Sequence, residues 1–225
     1  MRSKKIVITA VALAAVVLLT ACANLDVIGQ KADESFAELL EISKDNVALD
    51  DMLGAWGLAS PDGAARFLWS NNIGAAGPDL WMEFDARPFI DAGLDMTALP
   101  DGVEAAKEGT LLVPGDFGRD AEIGGYEDPY DAFKRIMAMS PDSMQYHMEM
   151  DHFTINMGGG NAFEWAKDFD KNDMDIVFVL NPEPFEGAGI DTATIAGWQV
   201  LEVETMDENG KMAKRDMLLT SFDLE

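Results

Sequence analysis

The chain has 225 residues, of which 48% are hydrophobic and 25% charged, with 41 acidic residues against 16 basic ones. The formal net charge of −25 excludes nucleic-acid binding, because such a surface repels phosphate backbones, and it favours cations or basic proteins as partners. The length and apolar content suffice for a sizeable buried core, which excludes a disordered acidic tail. A solubility or salt adaptation is the alternative explanation of the acidity.

The first 22 residues have the pattern of an export signal. A basic start, Met1–Lys5, precedes an uncharged apolar run of 15 residues from Ile6 to Thr20. This run has the length of a signal-peptide core and is shorter than the ~20 residues that a membrane-spanning helix needs. Leu19-Thr20-Ala21-Cys22 follows, and it resembles the lipobox of bacterial lipoprotein precursors.

The resemblance implies that residues 1–21 are a signal peptide and that Cys22 is the lipid attachment site, carrying acyl chains such as palmitate. Residues 22–32 are then a lipidated tether. The implied location is extracytoplasmic and lipid-anchored to the cell membrane, or to the outer membrane in a cell with two membranes, because Ala23 is not an acidic retention signal. A secretory signal with an incidental cysteine is the alternative. Cys22 is the only cysteine, so the chain has no internal disulfide.

Removal of the signal peptide makes the chain more acidic. Residues 1–21 contain three basic residues and no acidic one. The remaining chain has 13 basic against 41 acidic residues, a formal net charge of −28.

The sequence repeats at an offset of 96 residues. From Gly63 to Leu99, nine of 37 positions are identical to the residue 96 positions later. The identical pairs are Gly63/Gly159, Phe67/Phe163, Trp69/Trp165, Asp79/Asp175, Pro88/Pro184, Phe89/Phe185, Ala92/Ala188, Gly93/Gly189 and Asp95/Asp191. A period of this length indicates a duplicated domain and not a solenoid array.

Both copies predict the same elements in the same order. Apolar residues at helical spacing predict a first helix, alternating runs with turn residues predict the strands, and each Pro-Phe segment predicts a short helical turn that ends at Gly93 or Gly189. The predicted helices cover 33–43 and 130–139, and the predicted strands cover 56–60, 65–69, 79–84, 152–157, 161–166, 175–180, 198–205 and 212–222.

We therefore expect an α+β fold of two tandem copies of a helix plus antiparallel-strand module, related by a pseudo-twofold axis. The first module is expected over 33–120 and the second over 128–225. Residues 121–127, in a stretch rich in glycine and acidic residues, are expected to link them.

Both histidines lie in a methionine-rich segment, His147-Met148-Glu149-Met150-Asp151-His152. Thioether and imidazole are soft ligands that suit Cu(I). If the segment forms one strand, Met148, Met150 and His152 share a face and become candidate metal ligands. Packing of the methionines into an irregular core is the alternative.

The acidic stretch 168–175 has the spacing of the start of a calcium loop. Asp173 occupies the position of the required glycine, and Val179 stands where the bidentate glutamate belongs. These departures exclude an EF-hand and leave a weaker calcium site as a hypothesis.

Phe67, Trp69, Phe163 and Trp165 recur in both copies at a spacing of two, so each pair shares a sheet face. Core packing explains the recurrence. The alternative is an aromatic lining for a ligand in the cleft between the two copies.

The sequence contains no nucleophile elbow, zinc-binding helix motif or phosphate loop, and two histidines provide little general base near neutral pH. We expect a non-enzymatic protein that binds a small ligand or a partner at the cleft between the copies, with no cofactor. The alternatives are a copper or calcium binding protein and a hydrolase that uses two carboxylates. The expected partners are the membrane, a small ligand, a cation or a basic protein.

Overall fold

The computed structural model describes residues 25–71, 78–106, 109–115, 128–139, 143–147, 150–169, 174–206 and 212–224. In this part of the chain, two antiparallel sheets of six strands each combine with four α-helices. The α+β class is confirmed, with more strand than helix. The expected signal peptide 1–21, Cys22 and the expected linker 121–127 lie outside the described residues.

The first sheet is formed by six strands of the N-terminal half. They are β1 Val47–Asp50, β2 Ala55–Ala59, β3 Ala65–Ser70, β4 Leu80–Asp85, β5 Glu104–Ala105 and β6 Thr110–Gly115. Their order in the sheet is β1-β2-β3-β4-β6-β5. Successive side chains alternate between the two faces, so Phe67 and Met82 face the core while the paired Arg66 and Glu83 face outward.

The second sheet repeats this strand order. Its strands are β7 Met144–His147, β8 His152–Gly158, β9 Asn161–Ala166, β10 Ile176–Leu180, β11 Gln199–Met206 and β12 Met212–Phe222. Their order is β7-β8-β9-β10-β12-β11, so each strand of the second sheet has a counterpart in the first.

The helices also occupy matching places. Helices α1 Leu25–Ile42 and α3 Pro129–Met139 precede the two sheets, and the short helices α2 Arg87–Asp91 and α4 Glu183–Gly187 follow β4 and β10. After α2 and α4, Gly93 and Gly189 adopt φ angles of 111° and 86°, as their predicted role requires.

The two long helices differ in how closely their first residues agree with the prediction. Helix α3 starts at Pro129, one residue before the predicted range, and Asp128 Oδ1 caps it by accepting hydrogen bonds from the backbone N–H groups of Tyr130 (2.9 Å) and Asp131 (3.1 Å). Helix α1 begins at Leu25, before the predicted start at residue 33. Most of the range expected as a tether is therefore helical.

One aromatic core lies between the two sheets. Phe67 of β3 stacks on Phe163 of β9 with ring centroids 3.8 Å apart. Phe89 of α2 lies 5.3 Å from Phe185 of α4. A single cluster of buried side chains contains residues of both sheets and of α1 and α3, so the two halves share one core.

Helices α1 and α3 each pack against the sheet of the other half. Helix α1 contacts β7 and β9 of the second sheet, and α3 contacts β3 of the first. Two hydrogen bonds also link a helix of one half to a strand of the other. The Ser35 hydroxyl donates to the Ala166 carbonyl (2.8 Å), and Trp69 Nε1 donates to the Pro129 carbonyl (2.8 Å). Each half therefore uses a helix of the other to cover its sheet.

Candidate functional site

The four aromatic residues considered as a ligand lining are core residues. Phe67, Trp69, Phe163 and Trp165 are all 0% exposed, and their rings pack against one another and against α1 and α3. Burial of large aromatic side chains gives a strong hydrophobic driving force for folding. In the described part of the chain, the interface between the sheets is filled at this place, and packing accounts for the four rings.

The methionine-rich segment forms a hairpin and not one continuous strand. Strand β7 ends at His147, β8 begins at His152, and these two histidines are directly paired. The expectation of one strand through His147–His152 is therefore wrong, because β7 and β8 are two antiparallel strands. Met148 lies outside the described residues, and Met150 packs in an apolar cluster on the outer face of the second sheet.

The outer face of the second sheet holds a polar cluster around Glu164. His147 Nδ1 lies 3.2 Å from Glu164 Oε1, and the Thr154 hydroxyl donates to the same oxygen at 3.2 Å. Glu164 is only 4% exposed. The hydrogen bond to Glu164 raises the pKa of His147 above its usual 6.5, while burial acts in the opposite direction.

Replacing His147 by glutamine is expected to remove a pH-dependent part of the stability. Because the folded state favours the protonated imidazole, this contact contributes fully below the unfolded-state pKa of about 6.5, and its contribution is lost as pH rises through the raised pKa. We expect the free energy of unfolding of wild type to exceed that of His147→Gln by about 1 kcal/mol at acidic pH and by less at alkaline pH. Denaturant unfolding of both proteins between about pH 5.5 and pH 8.5 measures this, and a difference that does not change with pH would contradict it.

His152 is buried on the same outer face, 2% exposed. Its Nε2 lies 2.7 Å from the Met174 carbonyl oxygen, so Nε2 carries the proton in the neutral ring and Nδ1 does not. Nδ1 has no hydrogen-bond partner among the described residues. In the same part of the chain, no three His, Cys, Asp or Glu side chains are grouped to hold a metal ion. Of the candidate copper ligands, Met150 and His152 lie within the described residues, and the copper site stays a hypothesis.

The acidic stretch 168–175 is only partly described, because residues 170–173 lie outside the described residues. Asp175 is 6% exposed and accepts a hydrogen bond from the Leu224 backbone N–H at 2.9 Å. This contact fastens the C-terminal end of the chain to the start of β10. The calcium site stays a hypothesis.

A pocket of about 340 Å³ opens on the outer face of the first sheet, beside the turn between β2 and β3. Arg66 Nη2 bonds there to Glu83, which is 5% exposed, and to Asp50 at 3.1 Å. Arg87, which is exposed, clamps Asp85 through Nε (2.7 Å to Oδ2) and Nη2. The hydrogen bond from Arg87 lowers the pKa of Asp85. Arg66, Glu83, Asp85 and Arg87 thus line one pocket, and Asp50, outside the lining, is a third carboxylate bonded to Arg66.

The second half has uncharged side chains at the matching positions of its sheet. The strand pair Arg66 and Glu83 corresponds to Ala162 and Val179 in the matching register. Because the same strands pair in the same order without these charges, the fold does not require Arg66 and Glu83. This difference makes them candidates for function.

The corner that leads into the short helix differs in the same way. Asn181 takes the place of Asp85, and its Oδ1 accepts from the Glu183 backbone N–H (3.1 Å), as Asp85 Oδ1 accepts from the Arg87 N–H (3.0 Å). Asn181 Nδ2 also donates to the Gly159 carbonyl at 3.0 Å, which ties the corner to the neighbouring turn. The backbone cap is common to both halves, and the charged pair belongs to the first half alone.

Comparisons of the chain with protein families, curated proteins and solved structures find no match. None of the described helices combines the length and the apolar character that crossing a membrane requires.

Proposed function

We propose that this chain is a membrane-anchored extracytoplasmic lipoprotein that binds a small ligand without catalysis. The lipobox-like segment ending at Cys22 supports the anchor. We also propose that the folded part consists of two tandem copies of one module related by a pseudo-twofold axis. The common strand order and the stacking of Phe67 on its counterpart Phe163 support this duplication.

The proposed ligand site is the pocket lined by Arg66 and Arg87, in place of the cleft between the copies. The observation that carries this choice is that Arg66 and Arg87 both line one pocket, whereas the matching positions of the second half are Ala162 and Glu183. The volume of about 340 Å³ lies within the range of ligand pockets. In a chain with a net charge of −25, paired arginines provide a local site for the carboxylate or phosphate group of a ligand.

The ionisation of the pocket supports binding without catalysis. Arg87 holds the pKa of Asp85 below its usual range, so this carboxylate stays ionised near neutral pH and is unsuited to donate a proton. The two histidines of the chain lie on the second sheet, away from the pocket lining. The pocket therefore lacks an imidazole that could act as an acid or base at neutral pH.

Binding at the pocket is tested with the lipidated chain in detergent and a panel of small carboxylates, phosphates, amines and amino acids. We expect at least one probe to bind, measured by ligand-observed NMR, and Arg87→Gln to weaken it about tenfold, because a charge-assisted hydrogen bond is lost. Glu183→Gln is the matched control, since Glu183 is exposed at the equivalent place in the second half. A panel without any binder that depends on Arg87 would reject the pocket.

The anchor is tested separately by replacing Cys22 with serine. We expect wild-type cells supplied with a labelled fatty acid to produce a labelled protein in the membrane fraction. Cys22→Ser is expected to lose both the label and the membrane association, because serine lacks the thiol that would carry the lipid and no acyl chain is left to hold the protein to the membrane. Membrane retention of an unlabelled Cys22→Ser protein would contradict lipid anchoring.

A further inference from the structure

We propose that the open edge of strand β11 binds an extended, basic segment of a partner protein as an added strand. This edge is separate from the small-ligand pocket, because β11 lies in the second sheet and the pocket opens on the first. The length of the edge, the ribbon that β11 forms with β12, and the charges of that ribbon support the proposal.

Strand β11 is the longest of the four outermost strands of the two sheets. These strands are β1, β5, β7 and β11, and they have four, two, four and eight residues. Proteins commonly protect sheet edges by keeping them short or by placing a proline or a bulge in them. Strand β11 contains no proline, and its pairing with β12 runs without a bulge from Gln199 to Met206. Among the described residues, no strand pairs with its other side.

Much of β11 belongs to a ribbon of only two strands. Strand β10 pairs with β12 from Leu218 to Phe222, so the part of β12 from Met212 to Met217 pairs with β11 alone. A ribbon of two strands has little stability of its own, and a third strand stabilises it. Gln199, Leu201 and Glu202 are exposed, which agrees with an open edge. A strand added beside β11 would supply the third strand of the ribbon.

The charges of the ribbon favour a basic partner. Glu202 is paired with Asp216 across the ribbon, and Lys214 Nζ donates to Glu202 at 2.5 Å. Arg215 is paired with Val203, so it lies on the opposite face of the ribbon. A basic side chain placed beside Glu202 by an added strand gains an ion pair there. A second copy of the chain brings the same net charge of −25 and is repelled.

The two faces of β11 favour an alternating partner sequence. Leu201, which is 39% exposed, is paired with Met217, and Met217 packs in the apolar cluster on the outer face of the sheet. Glu202 lies on the other face. Successive side chains of an added strand also point to opposite faces, so its apolar residues pack beside Leu201 and its basic residues lie beside Glu202. The expected partner segment therefore alternates basic and apolar residues.

Binding at the edge is tested with two dye-labelled peptides of eight residues, the length of β11, and the lipidated chain in detergent. One peptide alternates lysine with valine, and the other alternates glutamate with valine. We expect the lysine peptide to bind at least about tenfold more tightly by fluorescence polarisation and to shift the amide NMR signals of residues 199–203. Absence of binding by the lysine peptide rejects the proposal.

Glu202→Lys distinguishes binding at the edge from general attraction to an acidic protein. We expect this variant to bind the lysine peptide about fivefold more weakly, because a local attraction becomes a repulsion. Glu41→Lys is the matched control, since Glu41 is exposed on α1 and its replacement changes the net charge equally. The control is expected to bind the peptide within about twofold of wild type. Equal weakening by the two variants would show non-specific attraction and reject the proposal.

Proline variants test the added strand itself. Leu201→Pro and Glu202→Pro are made separately, because successive N–H groups of a strand point to opposite sides and only one of these two faces away from β12. The variant that loses the outward N–H is expected to keep the unfolding midpoint of wild type and to bind the lysine peptide at least about tenfold more weakly. Wild-type affinity in that variant contradicts strand addition.

Sedimentation of the chain without peptide, in the same detergent, tests whether a second copy occupies the edge. We expect a monomer. A dimer that dissociates in the outward proline variant would assign the edge to a second copy and reject the basic partner. None of these outcomes depends on Arg66 or Arg87, so the small-ligand pocket stands or falls by its own test.

Discussion

Phe36→Ala is expected to lower the free energy of unfolding by about 3–5 kcal/mol. Phe36 is 0% exposed and stacks on Phe133 with ring centroids 3.5 Å apart. It also meets Trp69 of the first sheet edge-on at 5.6 Å and Trp165 of the second at 5.4 Å. Loss of the ring therefore leaves a cavity at the point where both long helices and both sheets meet, and so large a void collapses only in part.

Denaturant unfolding followed by tryptophan fluorescence measures this change, because Trp69 and Trp165 border the new cavity. Ile42→Ala on the same helix is the control, since Ile42 is 48% exposed and its truncation is expected to cost at most about 0.5 kcal/mol. A loss below about 1 kcal/mol for Phe36→Ala would show that this core tolerates a cavity, contrary to the packing described here.

The two halves, produced separately as residues 22–120 and 128–225, are expected not to fold. Helix α1 packs against β7 and β9 of the second sheet, and α3 packs against β3 of the first, so in each isolated half the helix loses part of its packing surface and the sheet loses part of its cover. Each would expose an aromatic core face that the full chain buries, and domains of about 100 residues have little stability to spare. Near-UV circular dichroism and amide NMR dispersion of each half measure the loss.

A chain cut after folding provides the matched control for this experiment. A protease site placed within 121–127 allows the full chain to be cleaved between the same two halves. We expect the cleaved pair to stay associated, with the near-UV spectrum of the intact chain, because the shared core and the exchanged helices hold it together. Cooperative unfolding of either half alone would contradict the exchange of helices as a requirement for folding.

The central strands were predictable because their core positions are marked by large side chains. Strands β3 and β9 have Phe and Trp at alternate positions, and the predicted ranges 65–69 and 161–166 agree with the observed strands to within one residue. Glycines that close α2 and α4 were predictable for a backbone reason, since Gly93 and Gly189 need positive φ angles. These signals are local, so the sequence carries them without knowledge of the partner elements.

Strands β1 and β6 of the first sheet were not predicted, each for its own reason. Strand β1 is exposed at Ala48 and Leu49 and shows no alternation of apolar and polar residues. Strand β6 contains Pro114, which indicates a loop in a sequence. In the sheet, β5 pairs only with Leu111 and Leu112, so Pro114 lies where β6 forms an edge and a proline is tolerated.

The turn between the histidines was missed because its residue types are unusual. Asp151 adopts a φ angle of 53°, where Gly54 in the first half adopts 60°. Aspartate is one of the few non-glycine residues that enter this region. Its carboxylate accepts a hydrogen bond from Lys167 Nζ at 3.0 Å and another from the Tyr146 hydroxyl, which helps to hold the turn. Glycine therefore marks the turn before β2, whereas the turn before β8 has an aspartate at the same place.

The pocket could be predicted in part. The sequence shows that Arg66 and Arg87 stand opposite Ala162 and Glu183 at the offset of 96, so the difference between the copies was visible. Their meeting at one pocket depends on the register of β3 with β4 and on where α2 begins. The local sequence pattern predicts neither property, and it does not predict the packing of each long helix against the opposite sheet.

The early start of α1 determines how the folded protein is held if Cys22 carries a lipid. Only two residues separate Cys22 from Leu25, the first residue of the helix, and three Cα–Cα steps span at most about 11 Å. Farther along the same helix, Ala32 and Phe36 are fixed in the core. The lipid would then be joined almost directly to helix α1 and not to a long tether. With the proposed anchor, the folded protein would be held close to the bilayer surface, and a ligand would reach its pocket there.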